Sequence, residues 1–247
     1  NSGLRVSELA LGTMTFGTEW GWGADKAESK KIFDSYANAG GNFIDTANRY
    51  TEGTSERFVG DFIKEDRDHF VVATKYTLFD KSGDPNYSGN HRKNLVRSVT
   101  ASLKRLNTDY IDLLWLHAWD FTTPVEEVMQ GLNDLVRTGK VLYIGISDTP
   151  AWIVAQANTI ASFRGWSKFI ALQAEYNLLQ RDAERDLIPM AQSMGLALTP
   201  WAPLAGGALT GKYLNSSESG RISEANKRRS DHANQITKSV VKVAEEL

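Results

Sequence analysis

Four residues in the first half of the chain have side chains suited to moving a proton: Asp45, Tyr50, Lys75 and His117. A free phenol, with a pKa of about 10, is a poor acid at neutral pH. A neighbouring ammonium favours the phenolate and lowers that pKa. A lysine in a secluded site needs a counter-charge, which Asp45 can supply. An imidazole can donate a hydrogen bond to a carbonyl oxygen and orient it. Such a set is suited to protonating an oxygen as negative charge develops on it, which is half of a carbonyl reduction. The other half is a hydride, which no side chain provides, so the chemistry implies a cofactor. Taken singly, each residue has a plainer role. Asp45 reads as a turn former, Tyr50 as packing and His117 as a satisfied interior histidine. Lys75 is harder to place, because lysine is seldom buried unless paired.

The flanking pattern decides between these readings. Short apolar, β-prone runs begin at Leu9 and near Phe43, Phe70, Tyr110, Val141, Phe169 and Leu196. From Phe43 on, helical spacing follows each run, and residues 25–39 show the same spacing ahead of it. In residues 25–39, Asp25 is a capping residue with Glu28 three positions on. Ile32, Phe33, Tyr36 and Ala37 give that segment one apolar face, and Gly40-Gly41 ends it. Leu95, Val99, Leu103 and Leu106 form another stripe, and Val125, Val128, Met129, Leu132 and Val136 a third. Thr123-Pro124 and Thr149-Pro150 each read as a cap followed by proline at the first helical position. Leu187, Ile188, Ala191 and Met194 make a further face, closed by Gly195.

Strand–helix alternation without a long linker implies a parallel sheet covered by helices. A doubly wound open sheet and a closed (β/α)8 TIM barrel both fit. The first run, LALGTMTFG, lacks the G-x-G-x-x-G of the dinucleotide-binding open sheet, so the α/β barrel is expected. Seven strands can be counted, and the helical stretch Ile236–Glu246 would follow the seventh. No eighth strand remains to close the barrel, so a C-terminal portion is expected to lie outside the 247 residues. The first residue is asparagine, so the natural start is also expected to be absent. The whole of 1–247 reads as one domain, with polar 215–234 as a mobile loop.

In a parallel barrel the active site gathers at the carboxyl ends of the strands. Asp45 ends the second run, with Tyr50 in the loop beyond. Lys75 ends the third, His117 the fourth, Ser147 and Asp148 the fifth, Gln173 the sixth and Trp201 the seventh. The barrel therefore brings together what the bare sequence separates. Composition excludes other classes. There are no cysteines, hence no disulfide, thiolate metal site or cysteine nucleophile. A reducing, cytoplasmic setting is expected. A net charge of −2 gives no pull toward nucleic acid or an anionic membrane. No run is apolar enough for a spanning helix, and no metal site is expected.

Several motifs in order resemble the aldo-keto reductase family from the first residues to about Tyr213. They are LALGTMTFG, NFIDTANRY followed by GTSE, VVATK, RKNLVRSVTASLKRLNTDYIDLLWLHAWD, GKVLYIGISD, LQAEYNLLQR and LTPWAPLAGGALTGKY. The subgroup resembled is that of aryl-alcohol dehydrogenases and other bacterial and fungal oxidoreductases. The resemblance implies a barrel that binds NADP(H) across its top and reduces aldehydes or ketones, or runs the reverse oxidation. It implies Tyr50 as proton donor, Lys75 and Asp45 as its tuning pair, and His117 as the group that orients the carbonyl. Gly12, Thr13, Met14 and Asp45 would border the cofactor, with Ser147, Asp148 and Gln173 at the nicotinamide carboxamide and Trp201 stacked on the ring. The loop containing Ala202, Pro203, Leu204, Gly206, Gly207, Leu209, Gly211 and Lys212 would wrap the pyrophosphate.

Two positions depart from the family pattern. Asp148 stands where an asparagine is frequent, and Ala202 where a serine is frequent. The family's clamp for the 2′-phosphate lies beyond the eighth strand, so NADPH preference rests on the resemblance. Phe16, Trp20, Trp22 and Trp119 are expected to line the pocket, which suits apolar or aromatic carbonyl compounds. Two other readings remain open. One is a cofactor-sensing regulatory subunit resembling potassium-channel β subunits. The other is a barrel aldolase or isomerase using Lys75 as a Schiff base.

Overall fold

A computed structural model describes residues 2–210, together with Lys238, Ser239 and Lys242, which are helical and exposed. Seven strands lie parallel in one curled sheet in chain order. They are β1 (Ala10–Gly12), β2 (Phe43–Asp45), β3 (Val71–Tyr76), β4 (Ile111–Leu116), β5 (Val141–Ser147), β6 (Phe169–Glu175) and β7 (Ala197–Trp201). Between them run helices α1 (Lys26–Asn38), α2 (Thr54–Ile63), α3 (Arg92–Leu106), α4 (Val125–Arg137), α5 (Ala151–Arg164) and α6 (Leu187–Met194). This is the architecture of a (β/α)8 barrel, of which the described residues supply seven strands. β1 and β7 carry the two edges of that sheet. The expected mobile loop at 215–234 lies outside the described residues.

Strand alternation sorts the core into two layers. Ile44, Val72, Leu114, Ile144 and Leu172 face outward into the large core under the helices. Phe43, Val71, Ala73, Leu113, Trp115 and Ala171 face inward and fill the barrel. Trp115 is fully buried there, beside Gly145 on β5. A Cβ on residue 145 would come within 2.4 Å of the Trp115 ring, so glycine makes room for the indole. The same parity carries Asp45, Lys75, His117, Ser147 and Gln173 inward, one step above that floor.

The helices follow from the apolar spacing. Asp25 accepts a hydrogen bond from the Glu28 amide at 2.9 Å, as the N-terminal pattern of α1 predicts. Gly40 has φ +86°, and a side chain on Gly41 would strike the Tyr36 ring. Phe33 sits 5.2 Å from Phe70 and 5.4 Å from Phe62, ring centroid to centroid, fastening α1 and α2 to β3. Burial of each such ring stabilises the fold by about 2 kcal/mol. One expectation is corrected at α4 and α5. Pro124 and Pro150 are the capping residues themselves, extended at ψ 139° and 140°, rather than the first helical residues. The threonines before them bond elsewhere: Thr123 donates to Asp120, and Thr149 to the Ser147 carbonyl.

Candidate active site

The sheet register sets Asp45 and Lys75 on adjacent strands, with both side chains inward. Lys75 is 1% exposed. Its ammonium donates to Asp45 Oδ2 at 2.5 Å and to the Thr46 carbonyl at 2.9 Å. Its Nζ also lies 4.8 Å from the centre of the Tyr50 ring. Asp45 is the hub of the group: its second oxygen accepts from Gln173 Nε2 at 3.1 Å, from the far side of the barrel.

Tyr50 opens a short 3-10 turn, Tyr50–Gly53, that leads into α2. Thr51 and Glu52 are left-handed at φ 44° and 54°, a conformation that costs about 1–2 kcal/mol for residues with a side chain. Buried hydroxyls hold the turn in place. Thr51 Oγ1 donates to the Phe16 carbonyl at 2.6 Å and accepts from the Ser55 amide at 3.1 Å. Ser55 Oγ in turn meets Thr13 at 2.7 Å and Thr46 at 2.8 Å. Gly53 follows at φ +82°, packed so tightly that a Cβ would lie 2.8 Å from Arg105 Cδ.

His117 stands edge-on to Tyr50 at 6.2 Å between ring centroids. Burial, and then the charge of Lys75, push its pKa down to about 3, so the imidazole is neutral. Its Nδ1 is buried with no hydrogen-bond partner among the described residues. For Tyr50 the lowering expected from Lys75 is present but is outweighed. Burial raises the phenol's pKa, and Asp45 and Asp148 add to that rise. The charge and hydrogen bond of Lys75 lower it, without reversing the net. Burial pulls the Lys75 ammonium down, yet Asp45 and Tyr50 more than compensate, and its pKa ends above the usual value. The resting group is therefore neutral phenol, ammonium and neutral imidazole. Such an arrangement can give a proton to an oxygen placed between Tyr50 and His117.

On the other flank, Ser147 and Gln173 are buried neighbours in register across β5 and β6. Asp148, left-handed at φ 37°, is raised in pKa by burial, against hydrogen bonding from the Trp201 indole. Trp201 ends β7, 38% exposed. Beyond it the chain stays irregular: Ala202, Ala205, Gly206 and Gly207 all have positive φ. Leu204 is 54% exposed, Leu209 joins the same turn, and Gly211 and Lys212 lie outside the described residues. Gly12 pairs with Asp45 at the end of β1, and Thr13 and Met14 follow. Among the described residues no group of three or more His, Asp or Glu is placed to hold a metal.

The aldo/keto reductase family model matches residues 8–247. The chain belongs to the aldo/keto reductase family. It is 49% identical to a norsolorinic acid reductase of Aspergillus flavus over 84% of its own length and 56% of that protein. It is 43% identical to an NADP(+) aryl-alcohol dehydrogenase of Phanerodontia chrysosporium, over 99% of its length and 69% of that protein. A putative aryl-alcohol dehydrogenase of Saccharomyces cerevisiae is also 43% identical, over 85% of this chain and 59% of the relative. The chain thus spans between about half and two thirds of the curated relatives it matches.

The aromatic wall of the site differs in part from the expected one. Trp20 is edge-on to Tyr50 at 6.5 Å and tilted against Trp22 at 5.7 Å, which places both at the mouth of the site. Trp119 is 8% exposed and joins the main core, its amide bonded to the Asp148 carbonyl. Phe16 is corrected from a pocket residue to a core residue. It is 1% exposed and packs edge-on to Phe62 of α2, which leaves its ring no open face. Sequence reasoning also missed Arg49, which covers Phe79 at 4.5 Å, and the hydroxyl network beneath Tyr50. It missed Glu56 as well, a wholly buried carboxylate bonded to Thr74 and Arg105. Position gave the signal for Glu56: it falls on the same helical stripe as the buried Val59 and Ile63.

Proposed function

We propose that this chain carries the active site of an NADP(H)-dependent carbonyl reductase. The substrate is an aromatic or apolar aldehyde or ketone, and the reverse alcohol oxidation uses the same groups. The observation that carries this reading is the buried Lys75 ammonium, bonded to Asp45 and set against the Tyr50 ring.

The residues opposite fit the cofactor. Gln173, Ser147 and Asp148 offer hydrogen-bonding groups for a carboxamide, and Trp201 offers a partly open indole face. Irregular backbone at Gly206 and Gly207 suits close approach of a phosphate. Bound NADPH would supply the hydride to the carbonyl carbon. The protein's part is the oxygen. His117, neutral and with one N–H to give, orients the carbonyl. Tyr50 stays protonated at neutral pH and gives up its proton as charge grows on that oxygen. Lys75 then stabilises the phenolate left behind, and Asp45 keeps Lys75 charged in its dry site. The phenolate regains a proton from water after product leaves. Trp20 beside Tyr50, with Trp22 against Trp20, favours planar aromatic substrates.

The Schiff-base alternative fits less well, because that chemistry needs a free amine and Lys75 is held protonated. The test is titration of the chain with NADPH and NADH, followed by Trp201 fluorescence, and then turnover of an aromatic aldehyde. Quenching by NADPH with cofactor oxidation is expected. Binding without turnover would favour a regulatory, cofactor-sensing role. Failure to bind either nucleotide would sink the reading.

A further inference from the structure

Gln173 makes a bond that neither the sequence nor its place beside Ser147 explains. Its amide nitrogen crosses the barrel to Asp45 Oδ1, 128 positions away in the chain. The carboxylate fixes the orientation of this amide. Turned the other way, the amide oxygen would face an acceptor-only group. The carbonyl Oε1 is thereby left at the other end, with no hydrogen bond to any described residue and not sealed in the core.

We propose that Gln173 is a positioning residue that couples the ring-binding flank to the proton donor. Its oxygen accepts from the carboxamide of a bound nicotinamide while its nitrogen holds Asp45. This rests on the cofactor reading above and adds a route from one flank to the other. A hydrogen bond donated to an amide oxygen polarises the amide and strengthens the bond its N–H gives. Asp45 then holds Lys75 in a field set by cofactor occupancy, and Lys75 sets the phenol.

The charged and titratable groups around this route are Asp45 from β2, Tyr50 from the turn and Lys75 from β3. His117 after β4 and Asp148 after β5 complete the set. Without the Gln173 dipole, the Asp45 charge is less screened and the phenol becomes harder to deprotonate.

The experiment follows alcohol oxidation by the full chain against pH at saturating NADP(+). It compares wild type with Gln173→Leu, Gln173→Met and Ser147→Ala. All three variants are expected to bind NADP(+) about tenfold more weakly. Only the two Gln173 variants should move the rise of the pH–rate curve to higher pH, lowering the apparent acid constant about fivefold. Ser147→Ala, which has no link to Asp45, should leave that rise in place. Gln173 curves that coincide with wild type and Ser147→Ala would overturn the coupling while leaving the cofactor contact standing. Loss of the folded state in both Gln173 variants would overturn it too, since the residue would then serve the sheet. A wild type that neither binds NADP(+) nor oxidises an alcohol would fail the functional reading itself, and the coupling with it.

Discussion

The two flanks of the site are built differently. Around Asp45, Tyr50 and Lys75, nearly every polar atom is bonded to another part of the protein, and Lys75 is 1% exposed. Around Trp201 and the turn after β7, side chains are open, with Trp201 38% and Leu204 54% exposed, and four consecutive or near-consecutive residues are left-handed. The first flank is fixed before any ligand arrives. The second presents side-chain faces that the described residues leave partly uncovered. A proton donor must be held at a set distance and pKa, and that demands a rigid, dry surround. A site for a large cofactor must let it in and out, and that demands an open one.

The sharpest way to break the first flank is Lys75→Met. It leaves Asp45 with one donor fewer and the future phenolate without its cation. Turnover should fall about 10³-fold, or about 4 kcal/mol in barrier. The check is single-turnover reduction at saturating cofactor; a drop below tenfold would remove Lys75 from the chemistry.

Next comes Glu56→Ala. Glu56 is fully buried, and its loss strands Arg105, which packs against Gly53. A loss of about 3 kcal/mol of stability is expected in urea melts. A change under 1 kcal/mol would show that the Glu56–Arg105 pair is dispensable for holding the Tyr50 turn.

Near neutrality a smaller effect comes from pH, about 1.4 kcal/mol for the first unit below 6.5. His117 has a folded pKa of about 3, depressed from 6.5, so its stabilisation is complete above about pH 6.5. That stabilisation is lost as pH falls toward 3, at about 1.4 kcal/mol per unit, because the unfolded chain then binds the extra proton. Against wild type, His117→Gln should remove this share of the acid sensitivity. Parallel stability–pH curves for the two proteins would contradict it.

The smallest effect sharpens the open flank. Gly206 sits at φ 65° in an exposed turn. Gly206→Ala should cost about 1 kcal/mol locally and weaken cofactor binding a few-fold, with turnover at saturation unchanged. An equal loss in turnover would mean that the turn after β7 also serves the chemical step.

Much of this was legible in the sequence, because periodicity is a local property. All seven strands lie within a residue or two of the apolar runs, and the strand-end residues point inward because parity fixes their side. Lys75 could be read as paired because an ammonium buried without a counter-charge costs too much to persist. What was not legible depends on contacts across the barrel or on depth of burial. Phe16 looked like a pocket residue because nothing local reveals that Phe62 covers it. The net direction of the Tyr50 shift was not legible, because a neighbouring cation can be named from sequence, whereas the extent of desolvation cannot. Gln173 was legible as a strand-end residue, but its bond to Asp45 joins β6 to β2, and no spacing rule connects them. At Pro124 and Pro150 the one-position displacement reflects a proline whose extended ψ serves as the cap itself.

The central claim is that Tyr50 supplies the proton and that its hydroxyl is not needed to hold the cofactor. It is tested most directly by Tyr50→Phe, with NADPH affinity and single-turnover aldehyde reduction measured on the same protein. The account expects affinity within about threefold of wild type and reduction slowed at least about 10³-fold. Full activity in Tyr50→Phe, with binding intact, would contradict it.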